Sequence, residues 1–192
     1  NTADDYKGLK MRMPGLGGRT IGKLGATAVL MGGPDILTSL ASGAIDAAEW
    51  ICPVADLGLG MHQAAKFYYG PGWHEPSTLL DLSIDLKEWE GLDADTQALM
   101  MEMAKAFNVD VFSRFQALNG PALGKLLNEH GVQLKTFPDE LLIALGNAAG
   151  EVMEERGSID SQTKAICNHI LSFRKNIMAV SYTHLTLPTI CS

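Results

Sequence analysis

The sequence predicts an α/β protein in which an open sheet of parallel strands is followed by long helices. Over residues 1–51, short apolar runs alternate with helical patterns, an order that favours parallel strands joined by crossover helices. From Asp93 onward, apolar residues recur every three or four positions, which is the period of a packed helix. At 46% hydrophobic and 19% charged residues, the chain can bury a core.

The first predicted unit has the order βαβαβ. Residues 9–13 alternate apolar and basic side chains and stop at Pro14, which is typical of a short strand leaving its sheet. A helix through Leu24 follows, and Gly25 closes it as a C-terminal cap. Residues 26–31 form the second strand.

The second half of this unit begins at a Gly-Gly-Pro turn. Asp35 can cap a helix whose apolar side includes Ile36 and Leu40, and Gly43 ends that helix. Residues 45–51 form the third strand.

The later elements are mainly helical. A Gly-rich helix is predicted over 57–65, strands over 67–69, 79–84 and 132–136, and further helices from Asp93 and from Pro138. Within the long helix, Pro121 is expected to cause a kink or an interruption. Its apolar residues are expected to pack against other helices; they are Leu99, Met103, Phe107, Val111, Phe115 and Leu118.

The last twelve residues differ from the rest. From Ser181 the chain loses the helical period without a cap, and it resembles translated vector sequence. Residues 181–192 are therefore interpreted as a non-native tail, and residues 1–180 as the protein itself.

Charge and cysteine content exclude several classes of function. The net charge of −7 argues against a nucleic-acid partner, because phosphate binding requires a basic face. Cys52, Cys167 and Cys191 are not at metal-binding spacing and are interpreted as small apolar residues. The glycines at 15, 17 and 18 lack the third glycine and the acidic residue of a dinucleotide loop. No serine-hydrolase motif is present, and no organic cofactor is expected.

Arg12 is the first candidate for a binding residue. It lies between Met11 and Met13, just before the strand stops at Pro14. If the methionines face the core, Arg12 points to the opposite side, where strand ends border a cleft. A guanidinium there is a bidentate partner for a carboxylate. A solvated surface arginine is the alternative on the local pattern.

Two further groups combine carboxylates with aromatic rings. Glu49 and Trp50 end an otherwise apolar strand, where a buried carboxylate needs a cation or a proton. Trp73, His74 and Glu75 repeat this combination in a turn, and acidic oxygens with backbone carbonyls suit Na⁺ or Ca²⁺. The structural alternatives are an edge-strand glutamate beside a core tryptophan and an ordinary Gly- and Pro-rich turn.

Three linked motifs resemble a known family. Residues 5–15, DYKGLKMRMPG, resemble the DLKGLKxRxPG segment of TRAP transporter solute-binding proteins. Residues 42–50 resemble its GxIDAxEW segment. Residues 65–76, AKFYYGPGWHEP, are similar to the AKYYYxPGWxEP stretch of the branch that binds 2-oxo acids and related monocarboxylates. The resemblance continues through residues 137–142 and spans about 4–178.

The resemblance implies a periplasmic-binding-protein-like two-lobe α/β fold with open mixed sheets and long C-terminal helices. The chain corresponds to the C-terminal part of such a protein, with interleaved lobes and the N-terminal part missing. The ligand lies between the lobes, which close over Trp50 and Trp73. A signal peptide is expected in the missing part, and the location is periplasmic.

The resemblance also assigns roles. Arg12 matches the carboxylate-binding arginine, and Glu49 and Trp50 match positions that hold a metal ion through a carboxylate and a backbone carbonyl. Glu75 matches the third metal-contacting position, with His74 as the second choice. The expected ion is Na⁺ or Ca²⁺.

The implied partners are a small organic carboxylate, the membrane permease subunits of the transporter and, as an option, a second copy of the chain. The implied function is capture of a 2-oxo or 2-hydroxy monocarboxylate without turnover. An α/β enzyme fragment that uses Glu49, His74 or Glu75 as proton carriers is the first alternative, and an interaction module is the second.

Overall fold

The computed structural model describes residues 2–75 and 81–186, with side chains described to residue 177. Within these ranges, strands alternate with helices and two short 3-10 turns, Ala3–Tyr6 and Met61–Gln63. The strands are β1 (Lys10–Arg12), β2 (Thr27–Val29), β3 (Ala47–Ala48), β4 (Phe67–Gly70) and β5 (Gln133–Thr136). The α-helices are α1 (Gly15–Lys23), α2 (Gly33–Ser42), α3 (Pro53–Gly58), α4 (Leu86–Glu90), α5 (Ala94–Asn128), α6 (Asp139–Gly157) and α7 (Ser161–Thr186).

The first sheet confirms the predicted βαβαβ unit. Its strand order is β2-β1-β3, and both pairs are parallel, with Arg12 opposite Val29 on one side and Ala48 on the other. Helix α1 carries the chain from β1 to β2, and α2 returns it across β1 to β3. The strand order therefore reverses beside β1. Open α/β sheets leave a crevice at such a point, outside the carboxyl ends of the strands.

The second sheet pairs β4 with β5, again in parallel, with Tyr68 opposite Leu134 and Gly70 opposite Thr136. The expectation of mixed sheets is wrong for the described strands. Each connection between paired strands contains a helix, which returns the chain to the same end of the sheet and makes the pairing parallel.

The core lies where α1 packs on α6 beneath the first sheet. Tyr6, Met13, Ile21, Leu141 and Leu145 form one buried cluster, and Ile21 has no exposed surface. Burying side chains of this size contributes about 1.5–3 kcal/mol each. This cluster fixes the position of β1 and of the site at its end.

The C-terminal end of α5 is anchored to α3. The Asn119 side chain accepts a hydrogen bond from the Val54 backbone at 3.2 Å. Ala122 and Leu126, one and two turns further along, are buried. Through these contacts α5 is tied to the region that follows β3.

Two predicted elements are wrong. The helix expected over 57–65 is the earlier α3 followed by a 3-10 turn, because Gly60 takes a positive φ of 71° and ends the helical path. The strand expected over 79–84 is not formed in its described part. Residues 81–85 are irregular, and Asp85 caps α4 by accepting from Lys87 and Glu88 backbone N–H groups. Residues 79 and 80 lie outside the described residues.

Helix α5 is not interrupted at Pro121. Pro121 removes one backbone N–H donor from the helix, but Gly120 before it has no Cβ for the ring to clash with, which lowers the cost of the proline. The backbone of α7 is also helical past Ser181, as far as Thr186, although the apolar period stops there. The rest of the predicted tail, residues 187–192, lies outside the described residues.

The apolar residues of α5 are exposed, contrary to the packing expected from their spacing. Leu99, Met103, Phe107 and Leu118 expose half or more of their surface, and Val111 and Phe115 are half-buried. The spacing predicts the helix correctly, but the described residues leave most of its apolar face uncovered. Among the described helices, none carries an apolar run that could cross a bilayer.

Candidate functional site

The switch point of the first sheet brings Arg12 and Glu49 together. Arg12 is the last residue of β1, and Glu49 directly follows β3 on the neighbouring strand. The Glu49 backbone N–H donates to the Arg12 carbonyl at 2.9 Å, which continues the ladder by one step. Both side chains therefore leave the sheet at the same edge.

Arg12 and Glu49 form a buried ion pair. Arg12 Nη1 lies 2.9 Å from Glu49 Oε2 and 2.7 Å from the Glu49 backbone oxygen. The side chains are only 9% and 13% exposed, so both charges are largely removed from water. Arg12 Nε points to the Met31 carbonyl at 3.4 Å, beyond the end of β2. The burial excludes a solvated surface arginine.

Trp50 forms one wall of the site. The Arg12 guanidinium carbon lies 4.9 Å from the centroid of the Trp50 ring, within range of a cation–π contact. The six-membered ring of the indole also packs against the start of α2. A Cβ atom on Gly33 would lie 2.8 Å from the ring, so the backbone approaches Trp50 as closely as a residue without a side chain allows.

The turn after β4 supplies the remaining predicted residues. His74 Nε2 lies 3.4 Å from Glu49 Oε1, and both ring nitrogens of His74 are buried without a hydrogen-bond partner in the described part of the chain. Trp73 meets His74 edge-on, with centroids 5.1 Å apart. It also packs against the core cluster that contains Met13. Trp73 therefore supports the turn as well as lining the cavity described below.

Glu49, His74 and Glu75 form a cluster with metal-ligand spacing. One ligand atom from each lies within 4.8 Å of the others. Ligands on opposite sides of Ca²⁺, each at about 2.3–2.6 Å, are about 4.6–5.2 Å apart, so this spacing suits such an ion. The carboxylates suit a hard cation, and the His74 ring has a buried nitrogen to offer that makes no hydrogen bond to the described residues. The residues present therefore fit Na⁺ or Ca²⁺.

A large cavity opens from this site. Its volume is about 1630 Å³, and it extends from Glu49, Trp50 and His74 to the exposed apolar face of α5 at Met103 and Phe107. Cavities that hold small molecules span about 300–1,000 Å³. The opening therefore exceeds the space that a small ligand fills.

Sequence reasoning missed Asp56 and Tyr68. The Tyr68 hydroxyl donates to Asp56 Oδ2 at 2.5 Å, and Asp56 is only 7% exposed. Burial raises the pKa of the Asp56 carboxyl, while the hydrogen bond from Tyr68 lowers it. Burial also raises the pKa of the Tyr68 phenol, and the Asp56 contact acts in the same direction. The only sequence signal was an aspartate in the first turn of a helix, where acidic residues are common.

The crevice outside the strand ends of a parallel sheet is where open α/β proteins bind their ligands. The chain belongs to the DctP family, described as bacterial extracellular solute-binding protein, family 7, whose sequence pattern matches residues 1–158. It is 38% identical over 178 residues to a monocarboxylate 2-oxoacid-binding periplasmic protein of Nostoc sp. (strain PCC 7120), with 93% of this chain and 49% of that protein covered.

Solved structures agree with this family. A TRAP periplasmic solute-binding protein of Pseudoalteromonas atlantica T6c, with bound sodium and pyruvate, superposes with a TM-score of 0.89 at 33% identity, covering 98% of this chain and 58% of that one. A second, from Colwellia psychrerythraea, has bound calcium and pyruvate, with a TM-score of 0.87 at 34% identity, covering 97% and 56%. The chain thus spans roughly half the length of the proteins it matches.

Proposed function

We propose that this chain is part of the solute-binding component of a TRAP transporter, which captures a small 2-oxo or 2-hydroxy monocarboxylate with a bound cation. The observation that carries the proposal is the buried Arg12 guanidinium at the switch point, adjoining the cluster of Glu49, His74 and Glu75. A group that can bind an anion and a cluster that can bind a cation therefore lie side by side at the same crevice.

Arg12 would hold the ligand's carboxylate. Its Nη1 and Nε atoms are directed to Glu49 and Met31, while Nη2 carries two further N–H donors. The low exposure of this guanidinium strengthens its attraction for a carboxylate, because the surroundings screen the charge less than water does. The overall charge of −7 does not prevent this, since surface charges more than about 10 Å from the ligand are largely screened by salt.

The cation would connect the protein to the same ligand. Glu49, Glu75 and the Trp50 carbonyl would supply oxygens, and His74 would supply a nitrogen if it takes part. A bound ion favours ligands that present a carboxylate next to a keto or hydroxyl oxygen, since those two oxygens can chelate it. The relatives with pyruvate and sodium or calcium support this choice of ligand class.

We propose capture rather than catalysis. The curated relative and both solved structures are described as binding proteins. The enzyme alternative requires Glu49, His74 or Glu75 to move protons to a substrate. Proton NMR of pyruvate incubated with the protein distinguishes the two, because a binding protein returns the acid unchanged.

The whole protein's location and partners belong to the same proposal. We expect it to act in the periplasm and to deliver its ligand to membrane permease subunits, as the family description indicates extracellular solute binding. Cell fractionation tests the location. The finer expectation, a signal peptide, is tested by reading the coding sequence upstream of Asn1.

Calorimetry on the full-length protein tests the site. Pyruvate should bind in the presence of Ca²⁺ or Na⁺, and Arg12→Ala should weaken binding by about 2–5 kcal/mol, as expected when a buried charge pair loses one member. Arg19→Ala is the matched control, because Arg19 is an exposed arginine of α1. Undiminished affinity in Arg12→Ala, with the control also unchanged, would refute the assignment of Arg12.

A further inference from the structure

The cation site proposed above is assembled from two separate segments of the chain. Glu49 and Trp50 lie in the irregular stretch 49–52 between β3 and α3. His74 and Glu75 lie in the turn that follows β4. Glu49 is tied to β1 by its backbone bond to the Arg12 carbonyl, but that bond does not reach the turn with His74 and Glu75, so a separate contact must set the distance between the two segments.

The buried contact between Asp56 and Tyr68 joins these segments. Asp56 lies in the first turns of α3, and its Oδ1 accepts from the Ile51 backbone N–H at 3.4 Å, while its own N–H donates to the Cys52 carbonyl at 2.9 Å. Its other oxygen, Oδ2, accepts from the Tyr68 hydroxyl at 2.5 Å. One carboxylate thus contacts the backbone of the first segment and the strand leading into the second.

Tyr68 is itself rigidly placed. It lies within β4, which pairs in parallel with β5, and Tyr68 is opposite Leu134 in that ladder. Because the β4 backbone is held by this pairing, the Tyr68 hydroxyl restrains the position of the Asp56 carboxylate. The O–H···O distance of 2.5 Å is in the range of hydrogen bonds to an ionised acceptor, which are about twice as strong as neutral ones.

We propose that Asp56 and Tyr68 are positioning residues for the cation site, which hold the segment with Glu49 and Trp50 in register with the turn that carries His74 and Glu75. This inference rests on the proposed function, because it concerns the same site. It adds two residues outside the cluster of Glu49, His74 and Glu75. Groups that hydrogen-bond directly to metal ligands contribute about 10–100-fold to metal affinity. Asp56 acts one step further away, through the backbone of Ile51 and Cys52, so we expect an effect toward the lower end of that range.

The decisive variant is Tyr68→Phe in the full-length protein, because it removes the hydroxyl and keeps the ring. Ca²⁺ binding by calorimetry should weaken by about 10-fold. Asp56→Asn should have a similar effect. In the double variant the second change should cost little further, because both single changes break one contact.

Terbium luminescence supplies a readout that general destabilisation does not move. Tb³⁺ replaces Ca²⁺ at oxygen-rich sites, and its emission lifetimes in H₂O and D₂O report the number of coordinated waters. If Tyr68→Phe lets Glu49 or the Trp50 carbonyl withdraw, the bound ion gains water in that variant. Thr20→Val is the matched control, since it removes another buried hydroxyl bond, from Thr20 Oγ1 to the Leu16 carbonyl at 2.9 Å.

The outcomes separate the two proposals. If the unaltered full-length protein binds neither Ca²⁺ nor Tb³⁺, the proposed cation site itself is wrong. If it binds both, and Tyr68→Phe binds with the same affinity and the same hydration, the positioning role is overturned. Weakening of Ca²⁺ binding to the same extent in Thr20→Val would also overturn it, because the effect would then be one of stability alone.

Discussion

The end of the first sheet and the long helix α5 differ in how far their side chains are buried in contacts with the rest of the chain. At the end of the first sheet, Arg12 and Glu49 are both buried and bonded to each other. Along the first two-thirds of α5, Leu99, Met103 and Phe107 have more than 60% of their surface exposed. An apolar helix gains stability by burying such side chains. The Arg12–Glu49 pair is therefore satisfied within this chain, whereas the described residues leave these side chains of α5 uncovered.

The difference agrees with the length of the relatives. The chain corresponds to about half of each, and the cavity of about 1630 Å³ lies between the cation site and the exposed face of α5. We expect that in a protein of the relatives' length further residues cover that face. Binding of a small ligand would then require both halves, even though the charged residues named above lie in this one.

The largest expected effect comes from breaking the ion pair between Arg12 and Glu49. Arg12→Met leaves Glu49 buried without its cation and should lower the free energy of unfolding by about 3–5 kcal/mol, measured by urea denaturation without ligand. Replacing Glu49 with leucine in the same chain should restore most of this stability, because an apolar pair can substitute for a buried ion pair. The double variant should still fail to bind pyruvate. A single-variant loss below about 1 kcal/mol would place the pair among ordinary surface ion pairs.

The next prediction compares the two regions directly. Ile21→Ala, at a fully buried position, should cost about 2–5 kcal/mol of stability, whereas Phe107→Ala, at a position 65% exposed, should change it by no more than about 0.5 kcal/mol in the 192-residue chain. In the full-length protein, the Phe107→Ala cost should rise to about 3–5 kcal/mol if the missing half covers α5. Equal Phe107→Ala costs in the two proteins would contradict the comparison.

A smaller effect is expected at Gly33, where the backbone touches Trp50. Gly33→Ala adds a Cβ atom that would lie 2.8 Å from the indole, so the ring or α2 must shift. Overpacking of this kind costs about 1–3 kcal/mol. Gly22→Ala is the control, because a Cβ there meets no atom within 4 Å. Trp50 fluorescence in a Trp73→Phe, Trp89→Phe background should shift for Gly33→Ala and not for the control.

Sequence reasoning succeeded where local pattern decides the structure. Arg12 was placed correctly because Pro14 ends its strand, and Glu49 because it ends the third strand of a βαβαβ unit, so both had to meet at one edge. Gly25 closes its helix with a φ of 92°, as its position after Leu24 predicted. These inferences needed no knowledge of distant contacts.

Sequence reasoning failed where contacts between residues far apart in the chain decide the structure. Asp56 and Tyr68 lie on different elements, and nothing in the sequence around either indicates their hydrogen bond. The spacing of Leu99 and Phe107 predicts the helix but cannot reveal whether the covering surface belongs to this chain. At 81–85, Asp81 bonds to Ser83, and such local side-chain bonds compete with a strand that apolar spacing alone would favour.

The smallest expected effect on stability concerns the stacked rings of His62 and His130. His62, after α3, stacks on His130, just past the end of α5, with ring centroids 3.9 Å apart. Burial lowers the pKa of His62, and the nearby His130 lowers it further. The folded state therefore resists protonation of His62, so stability should fall as pH decreases through the ordinary histidine pKa of about 6.5 and should be unaffected by this group at higher pH.

Histidine titration by NMR measures this directly. The midpoint for His62 should lie below that of an unperturbed histidine, and His130→Ala should move it part of the way back, because burial, the larger cause, remains. His169→Ala, on α7, is the control and should leave the midpoint unchanged. A His62 midpoint unchanged by His130→Ala would mean that His130 does not contribute to the lowered pKa of His62.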